Sequence, residues 1–401
     1  MERGLLVCLL CLFASATAST LTAHRAPLPP SSCIRTPTVA MMATKKKKAA
    51  KKPAAKIGGK GFGAKIAAPV GSGRLLEDST YDELYAWLKS SSQTSLDKVA
   101  VADFDGLRGV MARQDIAPGE EIIAIPAPFA VDLGADGADV VSAAQRLLAT
   151  RATEIAPAYE PEEDDDPDEI IMPSSPRSVY WASLPQPDSP DLCTPDFFSE
   201  AEMQMVQWPP LVADTVKRTD TICKALSSAG ASDASAAYML RWAVWAVQSR
   251  VLTVQGPPDA MGRPGGRKLL IPFIDMFNHK GGTAHYLTGR TDGMLKVKAG
   301  SPIRAGEQIF IMYGTPATAN DEFVAHYGFH DPSPAAASAD RNLVRQCPEA
   351  LPALSVTTIA EDEALLAAEP PPPYREQLAI RLRLSLKRAA VAEGLLPPTG
   401  E

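Results

Sequence analysis

Residues 269–329 constrain the fold of this chain more than any other segment. The segment opens as an apolar strand. Three further stretches with the length and the β-branched or aromatic content of strands follow it, separated by glycine-containing turns: residues 285–288, 294–299 and 308–313. Short strands this close together predict small sheets, and small sheets need a second layer from elsewhere in the chain.

The rest of the chain after about residue 78 supplies that layer mainly as helices. Helical periodicity is clear at residues 80–90, 140–151, 234–252 and 374–393, and Thr358-x-x-Glu361 is a capping box that opens a helix over residues 361–368. Residues 99–125 are predicted as short strands with turns at Asp105-Gly106 and Pro118-Gly119, and residues 129–267 as mostly helix. The predicted class is α+β, with a helical insertion between two strand-rich parts and a helical tail.

Composition excludes several other classes. The 401 residues are 45% hydrophobic and 22% charged, which is ordinary for a globular protein, and the net charge of −7 argues against a nucleic-acid binder. The six cysteines contain no C-x-x-C pair and no regular framework, so we expect neither disulfides nor a metal site. The acidic run at residues 160–169 is interpreted as a solvated surface loop.

The first 78 residues carry a targeting signal. Residues 1–18 have the charged, apolar, small-residue order of a signal peptide, and residues 19–42 are rich in Ser, Thr, Pro and Ala without an acid, as in a plastid transit peptide. The pair predicts a protein of the plastid stroma, followed by a disordered Lys/Ala/Gly-rich linker over residues 43–78. The alternatives are a secreted protein, or a nuclear or cytoplasmic one translated from Met41 or Met42.

Three segments carry candidate functional residues. The first is the glycine-bearing turn and strand at residues 106–112. The second is Asn278-His279, two polar residues that directly follow an apolar strand, where neither caps an obvious helix. The third contains Tyr313-Gly and Tyr327-Gly-Phe. Each segment taken alone also suits a structural turn or a core position.

Taken in this order, the segments resemble the SET family, in particular the class typified by the Rubisco large-subunit lysine methyltransferase and the actin-histidine methyltransferase. The most specific stretch is Asp275-Met-Phe-Asn-His279, followed by Tyr313-Gly and Tyr327-Gly-Phe. The resemblance covers about residues 99–393. It implies a SET-domain β-fold of small, pseudoknot-like sheets in two parts, residues 79–138 and 268–330, around a helical insertion at 139–267. Residues 331–401 would be a short C-terminal helical domain that resembles the family's substrate-docking domain.

The resemblance also implies a site. The cofactor would be S-adenosyl-L-methionine, held by the backbone around Arg108 and Gly109 and by the side chain of Arg250, which suits a carboxylate. Asn278 and His279 would bind the amino group and the adenine. Tyr313 would be the central catalytic tyrosine, and Tyr327 would line the opening for the substrate side chain.

Two positions depart from the family pattern. The first glycine of the usual Gly-x-Gly turn falls at Leu107, unless the register moves to Gly106. Leu252 stands where the family has an aromatic residue against the adenine, so stacking at this cofactor-contacting position is weakened. Neither change removes a group that does chemistry.

The predicted activity is methylation of protein lysines by a monomer acting on a plastid protein, with no nucleic-acid partner and no membrane association of the mature form. Candidate substrates, by analogy only, are the Rubisco large subunit and fructose-bisphosphate aldolase. Two alternatives stay open. One is a protein-histidine methyltransferase, although the histidine-modifying relative lacks the tyrosine that corresponds to Tyr327. The other is a catalytically silent SET module that binds a partner in a plastid complex, which would not need intact Arg250, Asn278, His279 and Tyr313.

Overall fold

The computed structural model describes residues 73–155, 175–231, 233–255, 265–289 and 292–397. The predicted signal and transit peptides, nearly all of the linker, and the acidic run lie outside the described residues. The strands are β1 (Arg74–Leu75), β2 (Val99–Phe104), β3 (Leu107–Ala112), β4 (Glu121–Pro126), β5 (Val131–Ala135), β6 (Leu252–Gln255), β7 (Gly266–Leu270), β8 (Asn278–His279), β9 (Tyr286–Gly289), β10 (Met294–Lys298) and β11 (Gln308–Ile311).

The helices lie between and after these strands. They are α1 (Ser79–Lys89), α2 (Val140–Glu154), α3 (Ser178–Ser183), α4 (Glu200–Met205), α5 (Pro209–Ser228), α6 (Ala234–Arg250), α7 (Asn320–Tyr327), α8 (Pro334–Gln346), α9 (Leu351–Leu354), α10 (Ile359–Leu366) and α11 (Tyr374–Ala392). Short 3-10 turns occur at Ala127–Phe129, Pro195–Phe197, Ile274–Met276 and Pro348–Ala350. Among the described helices, none has the length and hydropathy needed to span a bilayer.

The strands form three small sheets, with the orders β1-β2-β3-β11-β8, β4-β10-β9 and β5-β7-β6. All described strand pairs are antiparallel except one, the parallel pairing of β8 with β11. Chain segments from both ends of the body therefore meet in the first sheet. The predicted α+β class with small sheets is confirmed.

The helices pack around two apolar cores. Trp242 and Trp245 on α6 are almost fully buried in the larger core, which also contains the inner faces of the sheets. Leu378, Leu382 and Leu386, predicted to share one side of a helix, are buried on α11 in the smaller core. The predicted capping box opens α10, where Thr358 accepts from the Glu361 N–H and the Glu361 side chain accepts from the Thr358 N–H.

Several boundaries differ from the sequence predictions. The prediction of mostly helix for residues 129–267 missed β5 and β6, which both pair with β7. The strand predicted from Leu269 begins earlier, since β7 starts at Gly266. The helix predicted for residues 234–252 ends at Arg250, because Val251 is extended and Leu252 pairs with Leu269. The predicted linker extends too far, since β1 pairs with β2. The domain boundaries themselves stay predictions.

Candidate active site

The β2–β3 hairpin places Arg108 and Gly109 at the candidate site. Asp105 and Gly106 turn the chain with φ values of 54° and 88°. Positive φ at both loop residues is the two-residue hairpin geometry that an Asp-Gly pair favours. Leu107 begins β3, so the glycine that the family pattern places at this position is absent from the strand, and Gly106 belongs to the turn.

Asn278 bonds to this strand. Its Nδ2 donates to the Arg108 carbonyl oxygen at 2.7 Å. A Cβ added to Gly109 would lie 2.9 Å from the same nitrogen and 2.2 Å from Gln308 Nε2, so a larger residue does not fit without movement. Arg108 Nη2 and Gln308 Nε2, on β3 and β11, are buried without a hydrogen-bond partner in the described part of the chain. A buried donor without a partner costs about 1–3 kcal/mol, so these atoms suit a ligand that brings acceptors.

Arg250, Asp275 and Tyr180 form a buried polar cluster at the end of α6. Arg250 Nη1 donates to the Asp275 carbonyl oxygen at 3.3 Å and lies 3.7 Å from Asp275 Oδ2. The Tyr180 hydroxyl donates to the same carboxylate at 2.8 Å. Burial raises the pKa of Asp275 and lowers the pKa of Arg250, to which the charge of Arg108 adds. A guanidinium has five donors and can bind a carboxylate through two of them.

The parallel pairing of β8 with β11 joins His279 to Tyr313. Asn278 is level with Phe310 and His279 with Ile311 in this pairing. His279 Nδ1 accepts from the backbone N–H of Tyr313 at 2.9 Å. Both residues are almost fully buried, with exposed fractions of 4% and 9%. The two polar residues that follow the apolar strand are therefore held against the segment that carries the predicted catalytic tyrosine.

Tyr313 and Tyr327 lie ring against ring. Their centroids are 4.8 Å apart with an interplanar angle of 31°. Tyr313 is buried, and its hydroxyl donates to the Phe277 carbonyl oxygen. Tyr327, the last residue of α7, is half-buried above it. Burial raises the pKa of Tyr313 well above its ordinary value and that of Tyr327 to about 12, so both hydroxyls are protonated at neutral pH.

Leu252 has no described polar contact with the other predicted site residues. It opens β6, is partly buried against the larger core, and pairs with Leu269. The structure also contains a cavity of ≈ 740 Å³ lined by Phe198, Met203, Trp208 and Val212, and none of the predicted site residues lines it. The polar convergence at Arg108, Asn278 and Tyr313 therefore defines the candidate site better than cavity size does.

Sequence reasoning assigned no role in the site to three residues that support it. Asp275 and Tyr180 bond to each other although they are 95 positions apart. Asp331 Oδ2 lies 3.2 Å from His279 Nε2. Asp275 had a recognisable signal, because a single acid inside the apolar run at residues 269–277 must be paired when that run is buried. Asp331 had none, since its partner is 52 positions away.

Comparison with known proteins gives partial matches in sequence. No family model matches the chain. Over 98 residues the chain is 35% identical to the actin-histidine N-methyltransferase of Drosophila melanogaster, and over 92 residues it is 38% identical to that of Homo sapiens. These matches cover 24% and 22% of this chain and 18% and 14% of the two relatives. The chain therefore matches less than a fifth of the length of these curated relatives.

Similarity to solved structures extends over most of the chain. The SET domain of LSMT bound to lysine and AdoHcy superimposes with a TM-score of 0.55 over 78% of this chain and 90% of that one, at 16% identity. Rubisco LSMT bound to AdoMet gives a TM-score of 0.55 over 79% and 91%, also at 16% identity. Identity this low relates the folds alone. The chain has the SET-domain fold, as the order of its three motifs predicted.

Proposed function

We propose that this protein is an S-adenosylmethionine-dependent protein-lysine N-methyltransferase that acts on a plastid protein. One observation carries the proposal: the Asn278 side chain donates to the Arg108 carbonyl oxygen, and the adjacent His279 accepts from the Tyr313 backbone N–H. Residues from three distant sequence motifs thus meet at one site. The SET-domain structures that superimpose on this chain were solved with AdoMet or AdoHcy, which supports the same cofactor here.

The residues present fit that cofactor. The unpartnered donors Arg108 Nη2 and Gln308 Nε2 suit a polar ligand that brings hydrogen-bond acceptors. Arg250 would hold the carboxylate of the methionine part, and Asn278 and His279 would hold its amino group and the adenine. When bound, the cofactor supplies a methyl group that its sulfonium already activates. The protein therefore needs only to align the reacting atoms and exclude water.

Tyr313 is the positioning group for the acceptor. Since burial keeps its hydroxyl protonated, it orients an amine by hydrogen bonding and does not act as a base. A free lysine has a pKa of about 10.4, so its ammonium must lose a proton before transfer. The apolar surroundings of Tyr313 disfavour the ammonium form by desolvation. Alignment of the reacting atoms at about 3–3.5 Å then accounts for much of the rate.

Tyr327 supports lysine over histidine as the acceptor. Its ring lies against that of Tyr313, and we infer that it narrows the approach to the buried hydroxyl. A long, narrow alkyl amine passes such a wall more easily than a planar imidazole does. The curated relatives include actin-histidine N-methyltransferases, so histidine is the second candidate acceptor.

The test is transfer of a labelled methyl group to plastid proteins. Purified protein is incubated with labelled S-adenosylmethionine and a plastid extract, and the labelled protein and residue are identified by mass spectrometry. We expect methyl-lysine, and a fall in kcat of about 10²–10³ for Tyr313→Phe, as for loss of one preorganised donor. The matched control is Tyr286→Phe, because Tyr286 is 49% exposed on β9. Methyl-histidine without methyl-lysine would make histidine, and not lysine, the acceptor. Cofactor binding without any methyl transfer would favour a catalytically silent module.

Plastid targeting is part of the proposal and rests on residues 1–42. A fluorescent protein fused after residue 78 should enter plastids, whereas the same fusion starting at Met41 should not. Nuclear or secreted fluorescence from the longer fusion would reject plastid targeting without touching the proposed chemistry.

A further inference from the structure

The His279 imidazole is held by rings on three sides and by hydrogen bonds at both nitrogens. Its centroid lies 4.8 Å from that of Phe323, 5.5 Å from Phe329 and 5.3 Å from Tyr313. Nδ1 accepts from the Tyr313 N–H, and Nε2 lies 3.2 Å from Asp331 Oδ2. A ring packed in this way cannot turn to exchange its partners. The position of its single proton therefore decides whether both contacts are attractive.

One tautomer satisfies both contacts. The Tyr313 backbone N–H is a fixed donor, so the nitrogen that faces it must present a lone pair. The proton of a neutral imidazole then lies on Nε2, where the Asp331 carboxylate is the acceptor. In the other tautomer, two N–H groups would oppose each other at Nδ1, and a lone pair would oppose a carboxylate at Nε2.

We propose that Asp331 is a positioning residue that selects the Nε2–H tautomer of His279 and, through it, fixes the backbone of Tyr313 in the active site. The part of this inference that concerns catalysis rests on the proposed methyltransferase function. The tautomer itself does not, because it follows from the hydrogen bonds alone. Asp331 touches neither Tyr313 nor Tyr327 in the described contacts, so its effect passes through the imidazole.

Asp331 is itself held so that only a carboxylate fits. Its Oδ1 accepts from the Ser333 N–H at 3.0 Å, and its Oδ2 accepts from the Ser333 hydroxyl at 2.6 Å as well as from His279. Its own N–H donates to Asn320 Oδ1 at 2.7 Å. Hydrogen bonds from His279 and Ser333 keep the pKa of Asp331 below its ordinary value, although burial, the largest single influence, acts to raise it. Both oxygens are therefore acceptors.

An amide at position 331 would break this pattern in either orientation. With its nitrogen towards His279, it would favour the Nδ1–H tautomer and set two donors against each other at Tyr313. With its nitrogen towards the Ser333 backbone, it would oppose that N–H instead. Asp331→Asn, which is nearly isosteric, is for this reason the informative variant.

The network continues to the C-terminal helices and supplies a control. Asn320 N–H and Nδ2 both donate to Asp340, each at 2.8 Å, and the Ser385 hydroxyl on α11 donates to the same carboxylate. Ser385→Ala removes a partly buried hydrogen bond from this network and leaves the contact between Asp331 and His279 intact. It controls for a general loss of stability.

The test combines a tautomer assignment with kinetics. Long-range 1H–15N correlation spectra, with the His279 signals assigned by their absence in His279→Gln, show which ring nitrogen carries the proton. We expect Nε2–H in the unmodified protein and in Ser385→Ala. In Asp331→Asn we expect the Nδ1–H form to appear in the molecules whose amide nitrogen faces His279. In methyl transfer, kcat of Asp331→Asn should fall roughly 10–100-fold while KM for the protein substrate changes by no more than roughly twofold, as for loss of a group that orients a site histidine.

The outcomes separate this inference from the proposed function. An Nδ1–H imidazole in the unmodified protein would overturn the inference without any variant having to fold. An Asp331→Asn protein that keeps both the tautomer and kcat would also overturn it, as would a loss of kcat with the tautomer unchanged. Nε2–H in a wild-type protein that transfers no methyl group would support the tautomer assignment and reject the methyltransferase proposal.

Discussion

Replacing Gly109 by alanine tests the position of the cofactor most directly. The new Cβ would lie 2.2 Å from Gln308 Nε2 and 2.9 Å from Asn278 Nδ2, whereas ordinary contact begins at 3.4 Å. The Gln308 amide must therefore retreat by about 1.2 Å and the Asn278 amide by about 0.5 Å, the differences between 3.4 Å and the two distances. The first shift is cheap because the amide ends a flexible side chain. The second disturbs the hydrogen bond to the Arg108 carbonyl.

The substitution is expected to weaken both folding and cofactor binding. Overpacking of this size lowers the free energy of unfolding by about 1–3 kcal/mol. The methyl group occupies the space next to Asn278 and Gln308, so hydrogen bonds to a charged ligand worth about 1.5–3 kcal/mol are lost. That loss raises the Kd for S-adenosylmethionine roughly ten- to a hundredfold.

Titration calorimetry with S-adenosylmethionine, beside thermal unfolding of the same samples, measures both effects. Gly137→Ala is the matched control, because a Cβ there meets nothing within 4 Å and its φ is not left-handed. This control should bind the cofactor as the unmodified protein does. A folded Gly109→Ala protein with an unchanged Kd would refute the placement of the cofactor beside this strand.

Three further predictions concern stability. Tyr180→Phe removes the hydroxyl that donates to the buried Asp275 carboxylate; the free energy of unfolding should fall by about 1–3 kcal/mol, and urea denaturation that shows no loss would contradict the proposed importance of this bond. Burial raises the pKa of Asp321 from 3.8 to about 6. The folded state thus disfavours the charged carboxylate. The contribution of Asp321 to the free energy of unfolding therefore falls as pH rises from about 4 to about 6. Asp321→Asn, which keeps an acceptor for Trp208, should gain stability relative to wild type across that window, and a pH-independent difference would argue against the shift. Thr358→Ala should cost about 1 kcal/mol through loss of the cap on α10 and leave cofactor affinity unchanged; a weakened affinity would show that the tail reaches the site.

Local patterns were sufficient to predict the elements that local chemistry determines. The Asp105-Gly106 turn, the α1 helix and the Thr358 capping box each depend on residues within a few positions of one another, and each was predicted close to its observed bounds. These predictions succeed because turn and cap chemistry acts over one turn of chain. The SET-domain fold was predicted from a resemblance to a known family, which the order of the polar motifs carries.

Long-range partners could not be predicted in this way. The third sheet is built by strands as far apart as Val131–Ala135 and Gly266–Leu270, and its short strands interrupt a region of helical character. The contacts of His279 with Asp331 and of Tyr180 with Asp275 join residues 52 and 95 positions apart. A single sequence contains no periodic signal for such pairs. Only the burial of an acid within an apolar run indicates that a partner exists.

The contact of β8 with β3 also determines when the site can exist. Asn278 and the Arg108 carbonyl that it binds are 170 positions apart, and closure of such a loop is entropically costly and slow. The site therefore forms only once distant parts of the chain have come together, and a ligand there can bind only the assembled state. Such a ligand stabilises the whole fold by mass action, by about 2.7 kcal/mol at a hundred times its Kd. Amide protons on β3, β8 and β11 should then gain protection from hydrogen exchange together, so that ligand affinity and native-state stability become two measurements of one equilibrium.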